Sequence, residues 1–199
     1  MPNIIKKGRE YRSLQDFALV PRENEDDAYL VRGTAIVFNT PTCLYEYDGV
    51  KFFEVIDRNA FDECDMSDVI FNYNHGGKVV ARLRNQTLTL LNADSGMNME
   101  ADLSGTVAGR ELYEEIDGGY IDSMSFSFSV RESKYDKETR TRTITKIKKL
   151  FDVSAVDFPA YSETSISARS FFEEEYSKEF VALEQARKRR LLIARTRTY

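Results

Sequence analysis

A serine hydroxyl becomes an effective nucleophile when a base takes its proton and a third group holds that base in place. The stretch 120–130, Tyr-Ile-Asp-Ser-Met-Ser-Phe-Ser-Phe-Ser-Val, offers four hydroxyls in unbroken alternation with apolar side chains. Alternate side chains of an extended strand share a face. Ser123, Ser125, Ser127 and Ser129 therefore line one side, and Met124, Phe126, Phe128 and Val130 the other. Such a row suits a nucleophile on a rigid anchor, and it equally describes an ordinary strand with one wet face. The chain carries a single histidine, His75, where an apolar run breaks into Asn74-His75-Gly76-Gly77. Imidazole titrates near neutral pH and suits the base, while a lone histidine excludes a multi-histidine metal centre. The third member should be a carboxylate able to accept from the ring N–H. Asp152, inside Lys149-Leu150-Phe151-Asp152-Val153-Ser154, fits, because a carboxylate in so apolar a run must be paired or on the wetter face. Asp122 and Asp157 compete with it. Asp62, Glu63, Asp65 and Asp68 invite a metal-hydrolase reading, but a solvated helix end and loop accounts for them as well.

The elements that position these residues are mostly short strands. Apolar alternation or β-rich runs predict strands over 11–20, 29–38, 50–56, 69–73, 79–83, 88–91, 97–103 and 140–158, besides the serine strand. Asp57 is placed to cap a helical turn over 58–65. Thr106 caps a helix over 107–117, with Leu112, Tyr113 and Ile116 on one stripe and Gly118-Gly119 to stop it. A second helix is expected over 171–194, where Phe172, Tyr176, Phe180 and Leu183 recur at helical spacing. Many short antiparallel strands with one internal helix and a C-terminal helix predict a mostly β fold, an antiparallel β-barrel or curled sheet with peripheral helices. The expected organisation is a flexible N-terminus over 1–10, a β domain over 11–161, a Ser-rich linker over 162–170 and a basic helix or tail over 171–199.

The length of 199 residues suits one such domain with tails. Two cysteines, Cys43 and Cys64, are too few for a disulfide framework or a zinc site and favour a reducing, intracellular setting. There is no apolar run long enough for a membrane span and no signal-peptide pattern at the N-terminus. The formal net charge is −5, yet Arg187, Lys188, Arg189, Arg190, Arg195 and Arg197 crowd the C-terminal end. An acidic body with a basic tail points to a tail that binds something acidic or folds back on the body.

Taken together, several blocks resemble the prohead maturation proteases of tailed bacteriophages, relatives of the herpesvirus capsid assembly proteases. The blocks are Gly33 to Phe38, Phe53 to Phe61, Val69 to Leu83 with Asn74-His75, Glu111 to Phe128 with Met124-Ser125-Phe126, and Phe151 to Ala160, spanning roughly 30 to 165. The resemblance implies a β-barrel serine endopeptidase without cofactor or metal, with Ser125 as nucleophile, His75 as base and Asp152 as acidic partner, where many relatives carry glutamate. It implies that the substrates and partners are scaffold, capsid precursor and the protease itself, inside the assembling prohead in the host cytoplasm. A homo-oligomer fits the same picture; a membrane or nucleic acid does not. Two positions depart from the pattern: Gly76 follows His75 where relatives often have aspartate, and Ser127 stands where they often have glycine. Arg82 or Arg84 is expected to anchor a water near the reacting carbonyl. The alternative is a catalytically silent assembly protein that binds scaffold or capsid.

Overall fold

The computed structural model describes residues 8–14, 20–21, 29–47, 49–157 and 165–196. Its strands are β1 (Glu10–Leu14), β2 (Val20–Pro21), β3 (Leu30–Val37), β4 (Thr42–Tyr47), β5 (Val50–Ile56), β6 (Ile70–Tyr73), β7 (Gly76–Arg82), β8 (Leu88–Asn92), β9 (Gly96–Asp102), β10 (Ser123–Asp136) and β11 (Thr141–Val156). The helices are α1 (Val107–Asp117) and α2 (Ser165–Thr196). The chain is mostly strand, in two sheets that do not close into a barrel. The curled-sheet form of the expected fold is the one observed.

The larger sheet runs β1-β10-β11-β5-β4, with β6 paired to β11 and β7 to β6. The smaller runs β2-β3-β9-β8. One feature departs from an all-antiparallel expectation. β11 is 16 residues long and pairs antiparallel with β10 along one edge. Along its other edge it takes two parallel partners, β5 at Thr141 to Ile144 and β6 at Asp152 to Ala155. Parallel partners need long crossovers, and no local pattern announces which strands will meet. Register shifts between β10 and β11 from Ser127 to Ser133 bend the pair, as bulges do.

The alternation read in the serine strand is what builds the core. Met124, Phe126 and Phe128 are fully buried with Phe71, Leu150 and Val153. Each such side chain removed from water stabilises the fold by about 1.5–3 kcal/mol. α1 forms over the expected residues; Thr106 Oγ1 accepts from Gly109 N at 2.9 Å, and Leu112 and Ile116 pack inward. The chain leaves α1 through Gly119, whose φ of +71° is the left-handed backbone glycine adopts at little cost. Asp57 caps the 3-10 turn Arg58–Phe61 by accepting from Asn59 N.

α2 is attached by a separate aromatic cluster. Phe172 is fully buried against Phe52, ring centroids 5.2 Å apart, with Tyr45 and Tyr176 around them. The helix starts at Ser165, so 165–170, expected within the linker, form its first turns. Positions 162–164 of that linker and residues 1–7 of the expected loose N-terminus lie outside the described residues. Glu10 already opens β1.

Candidate active site

The nucleophile candidate stands on the best-anchored strand of the larger sheet. β10 lies between β1 and β11, with Ser125 opposite Ser13 on one side and Ser154 on the other. Ser154 in turn lies opposite Asn72 of β6. One rung thus crosses four strands as Asn72, Ser154, Ser125 and Ser13. Two residues along, Ser127 lies between Asp152 of β11 and Tyr11 of β1. Period-two alternation puts Asp152, Ser154, Ser125 and Ser127 on a common face.

His75 is brought to that face by a tight hairpin. Tyr73 of β6 pairs with Gly76 of β7, which leaves Asn74 and His75 as a two-residue turn with φ +48° and +55°. Two positive φ values are the signature of a type I′ turn, whose twist matches the strands it joins. Asparagine tolerates this well; histidine holds it at a cost of about 1–2 kcal/mol. Asn74 N donates to Ala155 O at 2.9 Å, pinning the turn to β11 beside the hydroxyl row. The Tyr11 ring packs edge-on against the imidazole, centroids 4.8 Å apart at 70°.

The three sequence-selected residues meet. His75 Nε2 lies 2.6 Å from Ser125 Oγ, and His75 Nδ1 lies 2.7 Å from Asp152 Oδ1. Ser125 is wholly buried and Asp152 1% exposed. Since the carboxylate only accepts, the proton on that edge of the ring belongs to Nδ1. With the Ser125 O–H directed at Nε2, these three groups can relay a proton from a serine hydroxyl to a ring held by an anion. The rival carboxylates are engaged elsewhere: Asp122 accepts from Ser123 Oγ at 2.9 Å, and Asp157 from the Tyr73 hydroxyl at 3.2 Å.

Several members of the site were not singled out from sequence. Ser154 Oγ is within 3.1 Å of His75 Nδ1 and 3.3 Å of Asp152 Oδ1, and donates to Asn72 Oδ1. Its period-two relation to Asp152 was the available signal. Arg9 donates to Asp152 Oδ2 and to Ser127 Oγ, from Nε at 3.0 Å and Nη2 at 2.6 Å, and its guanidinium stacks 4.4 Å from the Phe151 ring centroid. Arg12 offers its main-chain oxygen to Ser125 Oγ at 2.9 Å. No local pattern links a residue at position 9 or 12 to a site more than a hundred residues away.

The serine face is therefore not wet at its centre. Ser125 and Ser127 are both fully buried, beneath β1 and the His75 turn. On the opposite face of β1, Arg12 reaches the buried Glu54 through Nε at 2.5 Å and Nη2 at 2.7 Å. Glu10 joins this cluster through Arg142 at 2.9 and 3.1 Å. Burial pushes the Glu10 carboxyl up, but the charge of Arg12 and the hydrogen bond from Arg142 outweigh it and hold it below the ordinary glutamate value. For Arg12 burial opposes the charged form, and Glu54 more than restores it.

Arg82 and Arg84, expected to anchor a water near the reacting carbonyl, both pair with Asp68. Asp65 pairs with Lys149 at 2.6 Å. Among the described residues no cluster of three or more histidine, cysteine, aspartate or glutamate side chains is arranged to hold a metal. No helix among them is long and apolar enough to cross a membrane.

The sequence model of the caudovirus prohead serine proteases matches residues 17–179. No curated protein matches the chain. Among solved structures the chain is similar to the bacteriophage T4 capsid assembly protease gp21, at 11% identity and a TM-score of 0.39, over 74% of this chain and 98% of that one.

Proposed function

This chain belongs to the caudovirus prohead serine protease family, and from that premise we propose that it is an endopeptidase in which Ser125 is the nucleophile, His75 the base and Asp152 its orienting partner. The observation that supports this is the continuous contact from Ser125 Oγ through His75 Nε2 and Nδ1 to Asp152 Oδ1, at 2.6 and 2.7 Å.

In the proposed reaction His75 Nε2 takes the Ser125 proton as Oγ attacks the scissile carbonyl carbon. Asp152 stabilises the imidazolium that results. His75 then returns the proton to the departing amine nitrogen, and the C–N bond breaks. Water, deprotonated by the same ring, releases the acyl group and restores Ser125. General-base action of this kind contributes about 10²–10⁴-fold. Ser154, whose hydroxyl donates to Asn72 Oδ1, packs beside the ring edge and the carboxylate. In the resting arrangement Arg9 also donates to the second carboxylate oxygen.

We propose that the substrates are scaffold, the capsid precursor and the chain itself, met inside the assembling prohead in the host cytoplasm, and that residues 171–199 tether the protease there. Self-shortening of the purified chain on storage, present in wild type and lost in His75→Ala, tests the activity. The observation that favours a silent assembly protein is the burial of Ser125. That reading predicts no self-shortening in any variant.

A further inference from the structure

β10 has two edges. β11 fills one, and β1 fills the other, antiparallel, with Glu10 opposite Phe128 and Leu14 opposite Met124. A peptide that binds in extended form beside Ser125 gains its main-chain hydrogen bonds by adding to a sheet edge. The edge beside Ser125 is the one β1 holds. Resting on the reading of Ser125 as nucleophile, we infer that residues 9–14 are an intramolecular occupant of the peptide-binding edge, and that this segment must leave before an external peptide can be cut. These residues lie outside the 17–179 span that the family model matches, so family membership assigns them no role.

Three contacts make the segment an occupant rather than a neighbour. The Arg12 main-chain oxygen lies 2.9 Å from Ser125 Oγ, beside the atom that must attack. The Tyr11 ring lies edge-on to His75. Arg9 covers Asp152 and Ser127. With them in place Ser125 is wholly buried.

Proton counting shows why the arrangement is unproductive. A serine hydroxyl has one proton to donate. A backbone oxygen only accepts, so the bond to Arg12 takes that proton. Ser125 Oγ can then only accept from His75 Nε2, which must carry hydrogen. Nδ1, facing the Asp152 carboxylate, carries hydrogen as well. A ring protonated on both nitrogens cannot act as a base. Withdrawing the Arg12 carbonyl exposes the edge and frees the Ser125 hydroxyl to turn; once Nε2 has released its proton to water, its lone pair accepts the Ser125 O–H.

The latch is ionic. Arg12 is gripped by Glu54, and Glu10 by Arg142, with the Arg12 guanidinium 5.3 Å from the Phe128 ring centroid. An incoming strand with a basic side chain at the position of Arg12 would satisfy Glu54 in the same way, so displacement by such a peptide is favoured over simple opening.

The test follows covalent labelling of Ser125 by a fluorophosphonate in the full-length chain, where Oγ bonds to phosphorus and fluoride leaves. Wild type is compared with Arg12→Met and with the double variant Arg9→Met/Arg12→Met, each checked for its fold by circular dichroism. A closed segment that opens 1–10% of the time predicts labelling about 10–100-fold faster once the latch is cut. A synthetic peptide of residues 8–14 should slow labelling of Arg12→Met again, and the same peptide with methionine in place of its arginine 12 should not. Equal rates on Ser125 in all three chains would overturn the inference and leave the catalytic reading standing. Labelling on Ser125 in none of the folded chains would overturn the catalytic reading, and the inference with it.

Discussion

Asp152 lies directly across the β10–β11 ladder from Ser127, not from Ser125. The carboxylate and the nucleophile candidate are therefore diagonal neighbours on one face. Diagonal pairs of that kind stand about 7–8 Å apart at the backbone, too far for a direct bond, and the imidazole of His75 bridges the gap with one nitrogen on each. The hydroxyl nearest Asp152 in register is thus not the one His75 touches. Arg9 instead fills the space between Asp152 and Ser127.

The diagonal makes Asp152→Asn a sensitive probe. An amide at this position can donate to Nδ1 and stabilise the wrong ring tautomer. Peptide cleavage should fall by roughly 10⁴-fold, the loss seen when a triad aspartate becomes asparagine, with the circular dichroism spectrum unchanged. Activity within a few-fold of wild type would move the role to another carboxylate.

Ser127→Ala should retain cleavage within a few-fold of wild type. Ser127 Oγ accepts from Arg9, and the substitution removes an acceptor for a guanidinium that keeps Asp152. If steady-state assays on a peptide instead find Ser127→Ala inactive and Ser125→Ala active, the nucleophile assignment is wrong by one pleat.

How much of this was legible in the sequence can be traced residue by residue. Period-two alternation placed Ser125 and the apolar anchors Met124 and Phe126 on opposite faces, and the cap residues Thr106 and Asp57 sit where their local chemistry indicated. His75 could be read as the tip of a turn because Asn74 and the following glycines favour left-handed backbone. What could not be read is tertiary. Arg9, Arg12 and Tyr11 reach the site through a strand pairing across more than a hundred residues, and the parallel ladders of β11 join segments with no shared local signal. The hydroxyl face looked like a wet face because alternation reports two faces, not what covers each.

Glu54→Gln should cost about 3–5 kcal/mol, because it removes one partner of a buried charge network and leaves the guanidinium of Arg12 facing a neutral amide. Glu54 is 4% exposed and Arg12 4%, so water does not compensate. Urea denaturation of the variant against wild type gives the difference; a change below 1 kcal/mol would show that the cluster contributes little.

Acid should weaken the same cluster through Glu10. Its carboxyl is held below the ordinary value of 4.5 by Arg12 and Arg142 against the opposing effect of burial. A folded-state value below the unfolded one means the stabilisation is complete above that ordinary value and is lost as pH falls through the lowered one. Denaturation midpoints of wild type and Glu10→Gln, compared from pH 7 down to about pH 2, should converge at the acid end. A gap that widens on acidification would contradict the sign.

The most direct measurement is mass spectrometry of a capsid assembly reaction run in parallel with wild-type chain and with Ser125→Ala. The account predicts new termini in scaffold, capsid precursor and the protease itself with wild type, and intact masses for all three with Ser125→Ala. The same cut products appearing with Ser125→Ala would contradict it.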